Sequence, residues 1–239
     1  MPAARPRTIE AIRNLGRFAR RLAEAASGRD LLLRPQLRCA TEHHGSTYGG
    51  WTICPEGLDS KSTVYSFGVG EDVSFDLAMI ERFGLCVHAF DPTPRSVAWV
   101  RSQSLPAQFV FHEVGLLDFD GVARFAQPEV PGHVSFRATH ASAGESVVEA
   151  PVRRLRTLMS ELGHSSIDVL KMDIEGAEYA AIDDILNAGI SIRQLLVEFH
   201  HRWAGVDQTR RAVAELNRHG YRIFHVSPSG AEVSLIRPS

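Results

Sequence analysis

Glycine or polar side chains follow five predicted strands of the chain, and they are the residue types that bind and process ligands. They are Gly68 and Gly70, Asp91, Val114-Gly115, Asp173, and Glu198 with His200. In sheets of parallel strands the carboxyl ends meet at one edge, and ligands bind there. We therefore expect these side chains to share one rim, and five such ends are stronger evidence than any single motif.

The first of these strand ends is a glycine turn. Phe67 precedes Gly68-Val69-Gly70, and the glycines allow a tight turn and close approach of the backbone to a ligand. Asp91 stands 21 residues beyond Gly70, where a carboxylate can accept hydrogen bonds from both hydroxyls of a ribose. A structural alternative is that Asp91 caps the following helix. The glycines and the acid together indicate an adenosine-type cofactor.

The residues after the second glycine bear on which cofactor this is. A dinucleotide fingerprint needs a third glycine at position 73, where this chain has Val73. Glu71 and Asp72 stand where a pyrophosphate would approach the N-terminus of a helix, and two carboxylates there would repel it. A ligand with a sulfonium and an amino group, and no phosphate, is not repelled. The sign of charge therefore favours S-adenosylmethionine over NAD.

Asp173, Glu198 and His200 stand at the ends of two adjacent predicted strands, so they can converge on one position of the rim. The near-neutral pKa typical of histidine suits a general base for a hydroxyl, as does a carboxylate. Alternatively, the three groups could hold a divalent cation that lowers the pKa of the hydroxyl. The metal-free site is favoured, because the sequence alone places no third oxygen ligand.

These residues also have purely structural interpretations. Asp173 and Glu175 could cap the next helix, and His200-His201 could be a solvated pair. Lys171 shares a strand face with Asp173, because side chains alternate along a strand. Burying Lys171 there is plausible only if it pairs with Asp173.

The elements that position these residues alternate between strand and helix. Strands are predicted at 64–67, 87–90, 107–114, 167–172, 192–199, 221–226 and 233–236. Helices are predicted at 75–83, from Pro94, and at 155–162, 178–186 and 208–219. Alternation of this kind predicts right-handed βαβ units and a mostly parallel sheet. The last two strands predict an antiparallel hairpin, and residues 116–155 resemble β-hairpins.

Composition limits the classes of function. The 239 residues suit one domain, and a net charge of −2 gives no case for nucleic-acid binding. The sequence has no run of 18 apolar residues, so we expect no membrane-spanning helix. We also expect no secretory signal, because the first thirty residues contain no apolar core segment. The cysteines, Cys39, Cys54 and Cys86, lack CxxC spacing. We interpret them as reduced thiols of a cytoplasmic protein, with a Cys39–Cys54 bridge as the alternative.

The N-terminal segment differs from the rest in charge. Residues 1–30 carry seven arginines against three acids, a net charge of +4, and residues 7–27 predict an amphipathic helix. A helix packed on the domain with solvated arginines is favoured over weak peripheral contact with a membrane. We therefore predict an extension over 1–30 and one domain over 31–239. Within 30–60, His43-His44 is interpreted as solvated and Trp51 as packed on the core.

Four motifs make the chain similar to a known family. They are VYSFGVGED (64–72), HAFDPTP (88–94), LKMDIEGAE (170–178) and LVEFH (196–200). On these motifs the chain resembles the FkbM-type class I S-adenosylmethionine-dependent methyltransferases, most closely a subgroup related to animal methyltransferase-like proteins. The similarity runs from about residue 38 to the C-terminus. Ser66 and Asp72 depart from it, since many members carry an acid and a glycine there.

The resemblance implies a Rossmann-like α/β fold with seven strands in the order 3-2-1-4-5-7-6. It implies methyl transfer to a hydroxyl of a sugar, glycolipid or secondary metabolite, so the expected partner is a small-molecule or glycan acceptor. Asp91 would then hold the ribose, and residues 67–70 would border the cofactor. Val114-Gly115 would lie near the adenine, and Asp173 at the methyl-donor end. A non-catalytic cofactor- or partner-binding module on the same fold is the alternative, and an NAD(P)-linked reductase is disfavoured by Val73.

Overall fold

A computed structural model describes residues 16, 20–126, 137–138 and 147–238. Seven helices occur in the described residues: α1 (20–26), α2 (Ser74–Phe83), α3 (Pro94–Ser102), α4 (Leu155–Leu162), α5 (Glu178–Asn187), α6 (His201–Ala204) and α7 (Val206–Arg218). The strands are β1 (Glu42–His44), β2 (Trp51–Ile53), β3 (Thr63–Phe67), β4 (Cys86–Phe90), β5 (Phe109–His112), β6 (Gly115–Leu116), β7 (Gly121–Ala126), β8 (Arg137–Ala138), β9 (Val147–Arg153), β10 (Ile167–Met172), β11 (Ile192–Glu198), β12 (Arg222–Val226) and β13 (Glu232–Ile236).

The central sheet has seven strands in the spatial order β12-β13-β11-β10-β3-β4-β5. Strands β3, β4, β5, β10 and β11 pair in parallel, whereas β13 is antiparallel to both β11 and β12. Numbered along the chain, this is the order 3-2-1-4-5-7-6. The sequence-based prediction of the fold, including its antiparallel C-terminal hairpin, is confirmed.

The middle strands are apolar on both sides because helices cover both faces of the sheet. Val64 pairs with Val169 and Tyr65 with Leu170 across β3 and β10. The two valines join an apolar cluster with α2 and α3, while Tyr65 and Leu170 join another cluster with α4, α5 and α7. Each of these four side chains is fully buried. Burial on both faces fixes the register, because a slip of one residue would exchange the two faces.

A smaller sheet follows β5 in the chain, with the strand order β6-β9-β7-β8. Its main pair, β7 and β9, is antiparallel from Gly121–Val152 to Ala126–Val147. The predicted β-structure is therefore present in the described parts of 116–155, whereas residues 127–136, with Val134 and Phe136, and residues 139–146 lie outside the described residues. Strand β6 brings residues 115–117 beside the carboxyl edge of the central sheet.

The start of the described chain is anchored to the domain by a buried arginine. Arg21 is 7% exposed, and its Nε donates to Asp30 Oδ2 at 3.1 Å. Asp30 Oδ1 lies 3.0 Å from Nε2 of His201, which is also buried. The described part of this segment therefore contacts the domain through Arg21, although Leu22 is 43% exposed, and packing of the rest of the helix stays a prediction. The solvated interpretation is wrong for Arg21 and His201, because the buried carboxylate of Asp30 needs the charge of Arg21 and a hydrogen bond from His201.

Three further expectations concern the whole chain. Most of the predicted helix over 7–27, and with it the predicted membrane contact, lies outside the described residues. Among residues 20–126 and 147–238, no helix is long and apolar enough to cross a membrane. Cys39, Cys54 and Cys86 are free thiols.

Candidate active site

A cavity of about 1210 Å³ opens at the carboxyl edge of the central sheet. The predicted residues that line it are Phe67, Gly68, Val69, Gly70, Asp91, Gly115, Asp173, Glu198 and His200. Val114 instead packs against the core, and Leu116 and Leu117 continue the wall beside Gly115. The strand ends identified from the sequence therefore do meet on one rim, as parallel strands require.

The turn after β3 needs glycine because the chain passes very close to a neighbouring loop. Gly68 has φ +80°, and a Cβ atom there would lie 1.7 Å from the carbonyl oxygen of Asp173. Gly70 has φ +55°, and its N–H donates to Asp91 Oδ2 at 3.0 Å. The ends of β3, β4 and β10 are thereby held together by backbone contacts that a side chain would disrupt.

Asp91 organises the loop after β4 rather than capping a helix. Its Oδ1 accepts hydrogen bonds from the N–H of Thr93 at 2.9 Å and from Thr93 Oγ1 at 2.6 Å. The N-cap of α3 is Thr93, without a side-chain capping bond, so the capping alternative for Asp91 is wrong. A carboxylate has about four acceptor positions, and the three protein bonds leave capacity for one more at Oδ2.

The two acids that follow the glycine turn both have partners. Arg95 donates to the two oxygens of Glu71 at 2.8 and 3.0 Å. Asp72 accepts hydrogen bonds from the N–H of Ser74 and from Ser46 Oγ, each at 2.7 Å. Burial alone would raise the pKa of Asp72, but these hydrogen bonds lower it. Because Arg95 balances Glu71, the charge argument against a pyrophosphate is weaker than the sequence indicates.

The hairpin of β1 and β2 and the loop between these strands form another part of the cavity wall, next to the residues that follow the glycine turn. Ser46 Oγ, which donates to Asp72, accepts the N–H groups of Tyr48 and Gly49 at 3.1 and 2.9 Å. Trp51 is 4% exposed and belongs to the core, as expected, yet it also lines the cavity. His44 lies 3.1 Å from Glu42 with a side chain only 10% exposed, so its solvated interpretation is wrong.

Lys171 is buried at the base of the cavity but does not pair directly with Asp173. Its ammonium donates to the carbonyl oxygens of Phe67 and Gly68 at 3.2 and 3.0 Å. Among the described residues, no carboxylate lies within 4.0 Å of it in a salt bridge. The expected ion pair is therefore wrong, because the backbone of the glycine turn takes up the donors. The charge of Lys171 still lowers the pKa of Asp173 from a distance.

His200 is the centre of a cluster of carboxylates at the other end of the cavity. Its Nδ1 lies 2.8 Å from Glu178 Oε1, and its Nε2 lies 3.2 Å from Glu175 Oε2 and 4.0 Å from Asp173 Oδ1. Asp173 and His200 thus come together as predicted. Glu175 and Glu178 were not identified as site residues from the sequence, although both stand in the LKMDIEGAE motif.

The loop between β10 and α5 explains how these two acids reach His200. Glu175 has a left-handed backbone with φ +52°, which among the described residues other than glycine is found only here. Glu178 is fully buried and accepts the N–H groups of Ile174 and Gly176 at 3.2 and 3.0 Å. The N-cap of α5 is Ala177, without a side-chain bond. The interpretation of Asp173 and Glu175 as helix caps is therefore wrong.

The cluster displaces the pKa values of its members. Burial alone would lower the pKa of His200, but Glu178, with Glu175 and Glu198 adding, raises it to about 9. Burial raises the pKa of Glu198 to about 8, helped by the charges of Asp173 and Glu232. Burial likewise raises the pKa of Asp173 to about 6. At pH 7 His200 is thus a cation rather than the neutral base expected from the sequence.

Comparison with known proteins shows which family the chain belongs to. The family model described as "Methyltransferase FkbM domain" matches residues 65–223. The chain belongs to the FkbM methyltransferase family. The matched segment runs from β3 into β12 and contains the glycine turn, Asp91 and the cluster around His200. The β1–β2 hairpin and β13 lie outside it.

Two curated relatives of the chain have the same description, "Probable methyltransferase-like protein 24". The Homo sapiens protein is 24% identical over 200 residues, which cover 75% of this chain and 48% of the relative. The Rattus norvegicus protein is 28% identical over 206 residues, covering 81% and 48%. The chain therefore spans about half the length of the curated relatives it matches.

Proposed function

We propose that this FkbM methyltransferase transfers a methyl group from S-adenosylmethionine to a hydroxyl of a sugar, glycolipid or secondary metabolite. One observation carries the proposal. A single cavity of about 1210 Å³ is lined by the glycine turn and Asp91 and, next to them, by a second group of residues, Asp173, Glu198 and His200. A methyl donor and a methyl acceptor could therefore be held next to each other in one cavity. Such alignment supplies much of the rate of a transfer reaction.

The residues present fit S-adenosylmethionine. Gly68 and Gly70 line the cavity with backbone that carries no side chain, and Asp91 retains acceptor capacity for a ribose hydroxyl at Oδ2. Gly115, Leu116 and Leu117 supply an apolar wall suited to the adenine. When bound, S-adenosylmethionine supplies an electrophilic methyl group on its sulfonium.

The second group of lining residues, Asp173, Glu198 and His200, would orient the acceptor and remove its proton. Asp173, with a pKa of about 6, is mostly ionised at neutral pH and can take the hydroxyl proton. Glu198, with a pKa of about 8, is mostly protonated and can donate a hydrogen bond to the acceptor. The His200 cation keeps the neighbouring carboxylates in place. General-base catalysis of this kind contributes roughly 10²–10⁴-fold to a rate.

Ligand-dependent melting followed by a transfer assay tests the proposal. S-adenosylmethionine or its demethylated product should raise the melting temperature, because each binds only the folded chain, whereas NADH should not. Incubation with methyl-labelled S-adenosylmethionine and cell extract should then label a hydroxyl-bearing metabolite. Stabilisation by NADH alone contradicts the proposal. Stabilisation by S-adenosylmethionine without any labelled product would instead indicate a non-catalytic binding module.

A further inference from the structure

We propose that Asp173, Glu175 and His200 form a binding site for a divalent cation at the acceptor end of the cavity. One carboxylate oxygen from each acid and one ring nitrogen of His200 all lie within 4.8 Å of one another. Divalent ions hold oxygen and nitrogen ligands at about 2.0–2.6 Å, so ligands of one ion lie within about 5 Å of each other. Glu175 is the additional oxygen ligand that the sequence alone does not place.

The orientation of His200 is that of a metal ligand. The contact of 2.8 Å between Nδ1 and Glu178 holds the ring so that Nε2 lies toward Glu175 and Asp173. Histidines that bind metals usually donate their other ring N–H to a carboxylate, which fixes the ring and increases its basicity. Glu178 therefore takes the position of the supporting carboxylate, while Asp173, Glu175 and Nε2 of His200 supply the ligand atoms.

An independent observation concerns the second oxygen of Glu178. The Glu178 side chain is fully buried, and its Oε2 has no hydrogen-bond partner. Leaving a buried carboxylate oxygen unpaired is costly unless positive charge lies nearby. A divalent cation bound to the adjacent His200 would supply that charge.

The balance of charge around the trio also favours a cation. Three carboxylate side chains surround His200, those of Asp173, Glu175 and Glu178. A nearby cation outside the trio is Lys171, whose ammonium donates to two backbone carbonyls. Mixed carboxylate and imidazole ligands suit Mn²⁺ or Mg²⁺ better than the thiolate-seeking metals.

The catalytic consequence of this site rests on the proposed function. Asp173, Glu175 and His200 all line the cavity, so ligand positions on the cavity side stay open to an acceptor oxygen. A cation bound here would lower the pKa of an acceptor hydroxyl. Because Asp173 would then be a ligand of the cation rather than the base, the released proton would pass to solvent.

Manganese binding by the full-length chain tests the site without any methyl transfer. Protein freed of metal with a chelator is titrated with Mn²⁺ in the absence of S-adenosylmethionine, and free Mn²⁺ is followed by electron paramagnetic resonance. One bound ion per chain is expected. His200→Ala and Glu175→Gln should each weaken binding at least about tenfold, and Glu178→Gln by about 10–100-fold, the usual effect of losing a supporting carboxylate.

Two residues of the same cavity provide matched controls. His225→Ala and Glu232→Gln change the same residue types outside the trio, and they should leave Mn²⁺ affinity within about threefold, or about 0.7 kcal/mol. Thermal melting checks that every variant is folded, and His200→Gln replaces His200→Ala if the latter does not fold. Absence of Mn²⁺ binding, or equal losses in trio and control variants, overturns the proposal.

The same measurements separate this site from the proposed function. Mn²⁺ binding that depends on the trio, without stabilisation by S-adenosylmethionine, would support the cation site and refute the methyltransferase proposal. Stabilisation and methyl transfer that persist in chelator, with no Mn²⁺ bound, would do the reverse.

Discussion

The two ends of the cavity treat their acidic residues in opposite ways. Beside the glycine turn, Glu71 is paired with Arg95, Asp72 accepts bonds from two serines, and Asp91 is bonded by Gly70 and Thr93. At the acceptor end, the pKa values of Asp173, Glu198 and His200 are displaced to about 6, 8 and 9.

The contrast indicates that one end of the cavity provides a fixed backbone surface and the other provides ionisable groups. At the glycine turn, satisfied side chains hold a backbone surface that a ligand can approach closely. At the acceptor end, buried charges remain poised, which is typical of groups that move protons or bind ions. Substitutions at the first end should therefore affect folding and cofactor affinity, and substitutions at the second should affect turnover, pH dependence and cation binding.

The largest expected effect comes from Gly68→Ala. The new methyl group would meet the Asp173 carbonyl, so we expect a loss of about 4 kcal/mol or more in the free energy of unfolding, together with loss of S-adenosylmethionine binding. Gly163→Ala is a matched control, because φ is +74° there, against +80° at Gly68, but no atom lies within 4 Å of a Cβ. The control should lose only about 1–2 kcal/mol. Urea unfolding measures both, and equal losses would show that the close contact is unimportant.

A pair of variants should divide affinity from turnover. Asp91→Ala should weaken S-adenosylmethionine binding by about 1.5–3 kcal/mol, because a charged hydrogen bond to the ribose and the support of Gly70 are lost. His200→Ala should leave that affinity within about threefold. Because the His200 cation holds the base Asp173 in place, its loss should lower kcat by up to the roughly 10²–10⁴-fold that general-base catalysis contributes. Calorimetry and the transfer assay measure the two quantities. Unchanged affinity in Asp91→Ala would limit Asp91 to organising its loop.

The sequence predicts the fold well because the fold depends on local and repeating signals. Apolar strands such as 167–172, glycine after strand and helix ends, and the final hairpin each report burial or turn geometry directly. The strand ends that form the rim follow from the same pattern. For this reason most predicted cofactor-side residues, from Phe67 to Gly115, line the cavity.

The acceptor end was harder to predict because it depends on contacts between distant segments. Strand alternation stops at Met172, so it cannot show that a left-handed Glu175 turns back toward His200. Lys171 binds carbonyls of another strand rather than its neighbour Asp173, and Arg21 reaches a buried Asp30. In each case the partner lies on a different element, and only packing brings the two together.

The charged end should also make stability depend on pH in protein kept free of metal. His200 has a pKa of about 9, raised from 6.5, and Glu198 a pKa of about 8, raised from 4.5. A raised pKa gives stability that is complete below the unfolded value and lost as pH rises through the folded value. The pKa of Asp173, raised from 3.8 to about 6, adds to this loss at its acid end, so the melting temperature in chelator should fall between about pH 4 and pH 9.

Two variants assign that loss to its sources. Glu198→Gln should flatten the fall between about pH 4.5 and 8, and His200→Gln the fall between about pH 6.5 and 9, because neither replacement titrates there. His219→Gln, at an exposed histidine after α7, is the control and should keep the wild-type slope. If all three variants show that slope, the poised charges at the acceptor end do not contribute to stability.

The smallest expected effect is that of Asp76→Asn, which we compare with Asp72→Asn. Asp76 is 2% exposed and its Oδ1 lacks a hydrogen-bond partner. Burial raises the pKa of Asp76, although Lys171 and Ser66 lower it in part. Its ionisation therefore opposes folding as pH rises above the unfolded value near 4, and Asp76→Asn should be neutral or stabilising by up to about 1 kcal/mol at pH 7.

Asp72→Asn should instead destabilise, since hydrogen bonds lower the pKa of Asp72. Thermal melts at pH 5 and 7 compare them. A larger loss of thermal stability in Asp76→Asn than in Asp72→Asn would mean that Asp76 is an ionised partner of Lys171. Asp76 would then belong with the acids whose charge is balanced by a partner.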